Sequence, residues 1–283
     1  TIVNETVDQV ELNIVAITDA VKLTGDQSIA GEKTFTEAVI MTGKLDLNDS
    51  NNNVWIGKDS GIANTTGTGN VSSGFESLKS NVSGSYNTAS GYRSLLSNTT
   101  GDKNVALGRQ SLYLNTTGGN NTASGYLSLY NNISGNDNVA SGRESLYKNT
   151  TGNYNVSSGY RSLTKNTIGG DNVATGRESL FSNISGDHNI AYGYRSGRFI
   201  TDGSTANETG SNSIFMGQDT RANADGETNQ IVIGDTAIGN GSNTVTLGND
   251  SITDTYLKGD VTIANDLTAN NLSGTNTGDQ DLS

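Results

Sequence analysis

Only 32% of the 283 residues are hydrophobic and the mean hydropathy is −0.47, so the chain lacks the apolar content for a globular core of ordinary size; composition by itself describes a low-complexity, disordered polymer. A net charge of −12 argues against a nucleic-acid partner, which needs a basic face. With no Cys there is no disulfide frame, thiolate metal site or cysteine nucleophile, and no run of 18 apolar residues exists to cross a membrane as a helix.

In residues 1–24, Val3, Val7, Val10, Ile14, Ile17 and Val21 follow one another at alternating spacings of four and three, and Gly25 ends the pattern. A seam of β-branched residues at both heptad positions shifts coiled coils from two strands towards three or four, which predicts a short N-terminal trimeric coiled coil. A short amphipathic helix lying on its own chain is the alternative. Residues 25–52 alternate weakly as strand, most clearly in KTFTEAVIM and KLDLN, and read as a β-rich transition segment. The chain opens on Thr1 rather than Met, which reads as a processed product or a fragment. It has no Pro, which favours backbone that pairs throughout.

Residues 53–200 carry the dominant signal. Asn recurs at 53, 70, 87, 104, 121, 138, 155, 172 and 189, always 17 apart, with Gly four residues later and Ser seven residues later. Leu follows that Ser in the seven inner copies, from Leu78 to Leu180, and the unit reads N-[VT]-[AS]-[SL]-G-x-x-S-L-x-x-N-[TIV]-[TS]-G-x-x. Seventeen residues are too few for a propeller blade or helical hairpin, which need roughly 33 to 50, but suit one coil of a parallel β-solenoid. Two short strands per coil are expected, with N-x-[TS]-G as a corner whose Gly takes positive φ. Asn and Ser columns become ladders along the stack. Strand parity stays open, because Val and Ser share one face of N-V-A-S-G while Ala and Gly share the other. So few large apolar side chains per coil make a thin core, and several chains are expected to share it.

Two columns alternate with a two-coil period. The first runs Tyr92, Arg109, Tyr126, Arg143, Tyr160, Arg177 and Tyr194, placing a guanidinium next to a phenol at each step. The second runs Glu144, Arg161, Glu178 and Arg195, opposite charges on neighbouring coils. Such alternation specifies register, since a slip by one coil juxtaposes like residues; an exposed Tyr and Arg stripe is equally a candidate glycan or receptor surface. In residues 201–250 the rhythm loosens, with IFMG, IVIG and VTLG keeping the strand signature and FITDGSTANETGSN forming a lengthened corner loop. Residues 251–283 read as short strands and a linker.

Charge is uneven: residues 53–200 hold 12 Lys or Arg against 8 Asp or Glu, so a mildly positive roll lies between acidic flanks and favours acidic surface glycans weakly. Catalytic groupings are poor. His188 sits in a variable corner without a nucleophile beside it, Asp102, Asp137, Asp171 and Asp187 occupy corners where turn capping is expected, and Glu144 and Glu178 have Arg neighbours rather than a cleft. No enzymatic activity, cofactor or metal is expected. The N-x-[ST] corners match the glycosylation acceptor pattern but recur because the turn needs them. Spaced Thr pairs such as Thr99, Thr100, Thr116 and Thr117 hint at an ice-binding lattice, but Ile133, Ser134 and Ile168 interrupt it.

The segments NNVWIG, NVALG, NQIVIG and NTVTLG resemble the head repeats of trimeric autotransporter adhesins, which are parallel left-handed β-rolls. ASGYRSL-x-x-NTTG and the flanks LTGDQSIAGEKTFTEAVIMTG and TYLKGDVTIANDLTANNLSGTNTGDQ are more similar to bacteriophage tail-fibre proteins. Neither the membrane β-barrel of an autotransporter nor the autoproteolytic chaperone domain of some tail fibres is present in the sequence. The expectation is an all-β homotrimeric parallel β-roll: a structural and adhesive tail fibre of a virion that binds, or spaces the binding of, a host-surface glycan or protein receptor and joins other tail or baseplate proteins. A bacterial trimeric surface adhesin and a polysaccharide-degrading tailspike are the alternatives. Neither nucleic-acid binding nor membrane insertion is expected.

Overall fold

The computed structural model describes residues 50–253 and residues 255 and 256. The predicted coiled-coil seam (Val3, Val7, Val10, Ile14, Ile17 and Val21), nearly all of the transition segment and the C-terminal strands lie outside the described residues. The remainder is an all-β parallel solenoid with turns of about 17 residues, and among the described residues there is no α-helix.

Twelve three-residue strands form one sheet in chain order, each parallel to the next: β1 (Val54–Ile56), β2 (Val71–Ser73), β3 (Thr88–Ser90), β4 (Val105–Leu107), β5 (Thr122–Ser124) and β6 (Val139–Ser141). They continue as β7 (Val156–Ser158), β8 (Val173–Thr175), β9 (Ile190–Tyr192), β10 (Ile214–Met216), β11 (Ile231–Ile233) and β12 (Val245–Leu247). Val105 faces Thr122 and Thr122 faces Val139, so register follows the 17-residue period; Ile190 faces Ile214 and Ile231 faces Val245 where the coils lengthen and shorten. Eleven steps of about 4.8 Å give the sheet a rise of roughly 50 Å.

Each coil holds one strand, not the two expected. The rest of the coil still bonds to its neighbours, as in Leu112 N to Ser128 O (3.0 Å) and Leu114 N to Tyr130 O (3.0 Å), but through left-handed residues that keep it in turns. In the coil starting at Asn104 these are Gln110 (φ 55°), Leu112 (φ 49°) and Asn120 (φ 57°), and the same positions repeat along the stack. A non-glycine residue in this region costs about 1–2 kcal/mol. The stack offsets that cost because the same residues' N–H groups bond across rungs, Gln110 to Tyr92 O (2.9 Å) and Asn120 to Asp102 O (3.0 Å).

The corner glycines also differ from expectation. Gly101 and Gly118 are not in the left-handed region; they are required by close approach, because a Cβ on Gly101 would lie 2.3 Å from Gly118 O and 2.5 Å from Asn98 Oδ1. Positive φ belongs to the strand-ending glycines, such as Gly108 at +132°.

Strand parity is now resolved: Ala106, Ala123, Ala140, Ala174 and Ala191 point inward and the flanking Val and Ile point out. Inside each regular coil the core is one Ala or Ser, one Leu, one Ser and two Asn, all buried; Ala106, Leu112, Ser111, Asn104 and Asn115 are one such set. This core closes within a single chain, contrary to the expectation that chains share it. It closes because the polar members pair internally. Asn121 Nδ2 donates to Asn104 Oδ1 (3.1 Å) and to Gly135 O (2.8 Å), and Asn121 Oδ1 accepts from the N–H and the Nδ2 of Asn138 (3.0 and 3.1 Å). A second Asn column runs beside it, Asn115 Nδ2 donating to Asn98 Oδ1 (2.8 Å) and to Gly118 O (2.9 Å), the carbonyl that Asn104 Nδ2 also reaches (2.8 Å). Where Ser replaces the inward Ala, at Ser72 and Ser157, its hydroxyl joins the Ser column at Ser77 and Ser162. A polar core is stable only when every member is satisfied, and the repeat satisfies it by translation.

The Leu column ends in two aromatic plugs. In the first and ninth coils Gly61 and Gly197 stand where the others have Leu. Trp55 fills the first gap, so that a Cβ on Gly61 would sit 2.2 Å from its ring, and Phe215 fills the second, 2.7 Å from a Cβ on Gly197. Both aromatics occupy the strand position that Ala takes in most regular coils, Trp55 in the coil of Gly61 and Phe215 in the coil after that of Gly197, and each ring takes up room that the missing Leu leaves.

Candidate functional surfaces

Four surfaces project from this scaffold, each built by the 17-residue period. The first is the column of candidate receptor residues two places after each strand. Arg109 lies 5.5 Å from the Tyr92 ring centre and 5.8 Å from that of Tyr126; Arg143 lies 5.6 and 5.7 Å from Tyr126 and Tyr160; Arg177 lies 5.9 and 5.4 Å from Tyr160 and Tyr194. All seven residues therefore form one continuous cation–π ladder, with Phe75 stacked on Tyr92 below it. Tyr126 keeps 38% of its surface exposed, so the ladder is accessible while being internally paired.

Beside it runs the charge column. Arg93 pairs with Glu76 (2.6 Å), Arg195 with Glu178 (3.2 Å), and Arg161 approaches Glu144 to 2.8 Å, close enough for an ion pair but off-line for a hydrogen bond. Hydrogen bonds from Lys79 and then Arg93 hold the Glu76 carboxyl below its ordinary value. Glu178 is further clamped by Arg198, whose guanidinium is sandwiched between Phe181 (4.4 Å) and Phe199 (4.5 Å) and whose pKa burial lowers.

A third column escapes the sequence reading. Tyr113, Tyr130 and Tyr147 stack face to face with centres 4.9 and 5.3 Å apart, and burial raises the pKa of the middle phenol. Its signal was available as three Tyr at 17-residue spacing, in a position where Lys79, Leu96, Thr164 and Phe181 obscure the pattern. The stack stops at Thr164, which is buried and donates to Glu144 O (3.0 Å), and ring character returns one coil later at Phe181. A hollow of about 390 Å³ opens there, bounded by Tyr147, Lys148, Arg161, Thr164, Lys165 and Phe181 among others.

The fourth surface is the outer face of the sheet. Val139, Val156, Val173 and Ile190 are exposed on it in a row, with Val71 further down the same column beyond Thr122, Val105 and Thr88, and Leu107 and Met216 join from the other outward position. Parallel sheets ordinarily have both faces covered, and here the described residues cover one.

The corner loops are fastened locally. Asp202 Oδ1 accepts from the N–H groups of Ser204 (2.8 Å) and Thr205 (2.7 Å), while the Thr205 hydroxyl binds Oδ2; these hydrogen bonds, led by the hydroxyl, hold its carboxyl at about 2. Asp102 and Asp187 cap the N–H groups of Ser85 (2.6 Å) and Gly170 (2.7 Å) on the preceding coil, the role expected of corner aspartates. His188 Nε2 lies 3.8 Å from Asp171 on the open surface. The Asn residues of the N-x-[ST] corners, Asn98 and Asn132 among them, are fully buried and hydrogen-bonded in their column. No family model matches the chain, nor does any curated protein or solved structure.

Proposed function

We propose that the chain is a structural and adhesive fibre segment of a phage tail, assembled as a homotrimer and carrying or spacing a host-receptor surface. The outer face of the parallel sheet, which the described residues leave uncovered, is the observation that carries the multimeric part of this reading. A row of Val and Ile, interrupted by Thr88 and Thr122 and unbroken from Val139 to Ile190, is an apolar strip of the kind that marks an interaction surface. Because it repeats every 17 residues, the complement it fits best is another copy of the same period. The proposed N-terminal coiled coil would set three chains in parallel and in register.

The adhesive part draws on the Tyr and Arg ladder, the tyrosine stack and the looped coils between β9 and β11, all of which face solvent. A virion location, and contacts with other tail or baseplate proteins, follow from the resemblance of the repeat and flanks to tail fibres. A bacterial trimeric surface adhesin uses the same surfaces, and neighbouring genes of a tail operon separate the two. A polysaccharide-degrading tailspike is disfavoured because Glu144 and Glu178, two coils apart in one column, are each engaged by arginine. The discriminating experiment incubates the labelled full chain with bacteria of differing surface polysaccharides. Adhesion restricted to some strains, with polymer length unchanged, supports the reading; falling polymer length overturns it in favour of the tailspike.

A further inference from the structure

We infer that the interruption of the tyrosine stack at Thr164 is a binding slot for an acidic pyranose residue of a surface polysaccharide. This inference rests on the adhesive reading and assigns it a site and a ligand class. Tyr113, Tyr130 and Tyr147 show the ring-on-ring spacing that this position supports, 4.9 and 5.3 Å. Thr164 has no ring to continue the stack, so the upper face of Tyr147 looks into a hollow of about 390 Å³, at the small end of the range for ligand sites, about 300–1,000 Å³. An apolar face of one sugar ring is the complement to that uncovered phenol.

Charge selects among sugars. Lys148, Arg161 and Lys165 border the hollow against one carboxylate, Glu144, which is already held by Arg161 at 2.8 Å and lies 3.1 Å from Arg143. Lys165 Nζ rests 5.6 Å from the Phe181 ring centre, and neither it nor Lys148 has an acidic partner among the described residues. Two ammonium groups without an acidic partner, beside an aromatic platform, suit a carboxylated pyranose. A neutral sugar would leave them idle.

The test titrates the full chain with a glucuronate-containing oligosaccharide and with its carboxyl-reduced counterpart. The acidic form binds, and the reduced form binds at least several-fold more weakly. Lys148→Gln with Lys165→Gln lowers affinity about fivefold to tenfold, the scale of two exposed ion pairs, and added salt does the same. Thr164→Tyr, which continues the stack with a residue this position accepts in three preceding coils, abolishes binding while circular dichroism stays unchanged; should it misfold, the lysine pair still decides. No saturable binding, equal affinity for both oligosaccharides, or unchanged binding by the lysine pair overturns the assignment. Binding at this slot by a monomeric chain keeps the site and removes the fibre reading, whereas a trimer that ignores the oligosaccharide does the reverse.

Discussion

Replacing Asn121 by Ala tests whether the asparagine column holds the stack together. The substitution removes four side-chain hydrogen bonds inside a core where Asn104, Asn121 and Asn138 are all fully buried. Gly135 O keeps a second donor in Asn132 Nδ2 (2.9 Å), Asn104 Oδ1 keeps the Asn121 N–H, and Asn138 Nδ2 keeps Gly152 O (2.8 Å). The Asn138 N–H loses its one acceptor, Asn121 Oδ1. One orphaned buried donor at about 1–3 kcal/mol and three further lost bonds at about 0.5–1.5 kcal/mol each give a destabilisation of about 2.5–7.5 kcal/mol. Because stability in a solenoid is a sum of rung and interface contributions, a break at the fifth rung also weakens the coupling between the two halves. Urea unfolding followed by far-ultraviolet circular dichroism therefore shows a lower midpoint and a broadened or split transition. A variant within 1 kcal/mol of the parent, with one transition of unchanged slope, would refute the reasoning.

The plug at Phe215 gives a sharper pairwise test: Phe215→Ala costs about 3–5 kcal/mol and Gly197→Leu alone destabilises by overpacking, but the double variant recreates a regular Ala and Leu coil and recovers most of the loss in a thermal double-mutant cycle. Arg143→Ala removes contacts to both Tyr126 and Tyr160, worth about 1–2 kcal/mol together by chemical denaturation. The Asp202 carboxyl is depressed in the folded loop, so its contribution is complete above about pH 4 and is lost as pH falls towards about 2. The amide resonances of Ser204 and Thr205 shift over that window in the parent and stay constant through it in Asp202→Asn.

The stacking period was legible because Asn, Gly, Ser and Leu recur without insertion, and a 17-residue step fixes which residues become rung neighbours. The Tyr and Arg ladder and the Glu and Arg column followed directly from that step. Strand parity was not legible, because Val, Ala, Ser and Gly are all small enough for either face of a narrow coil. Nor were the left-handed positions: Leu112 and its equivalents are held at positive φ by cross-rung bonds and burial, which local propensity does not encode. The expected second strand failed for the same reason. The plugs left a trace in Gly61 and Gly197, where Leu is missing from the first and ninth copies, but the compensation by Trp55 and Phe215 needs the third dimension. Composition pointed to disorder because it treats residues as independent, whereas Asn and Ser here are the buried, paired interior.

The central claim, that the exposed sheet face is covered by two further copies, is tested most directly by the native mass of the full chain in solution. The account predicts a species of three times the 29.5 kDa chain mass, dissociated by lysine substitutions at Val139 and Val173 on the outer face. A stable monomer under the same conditions would contradict it.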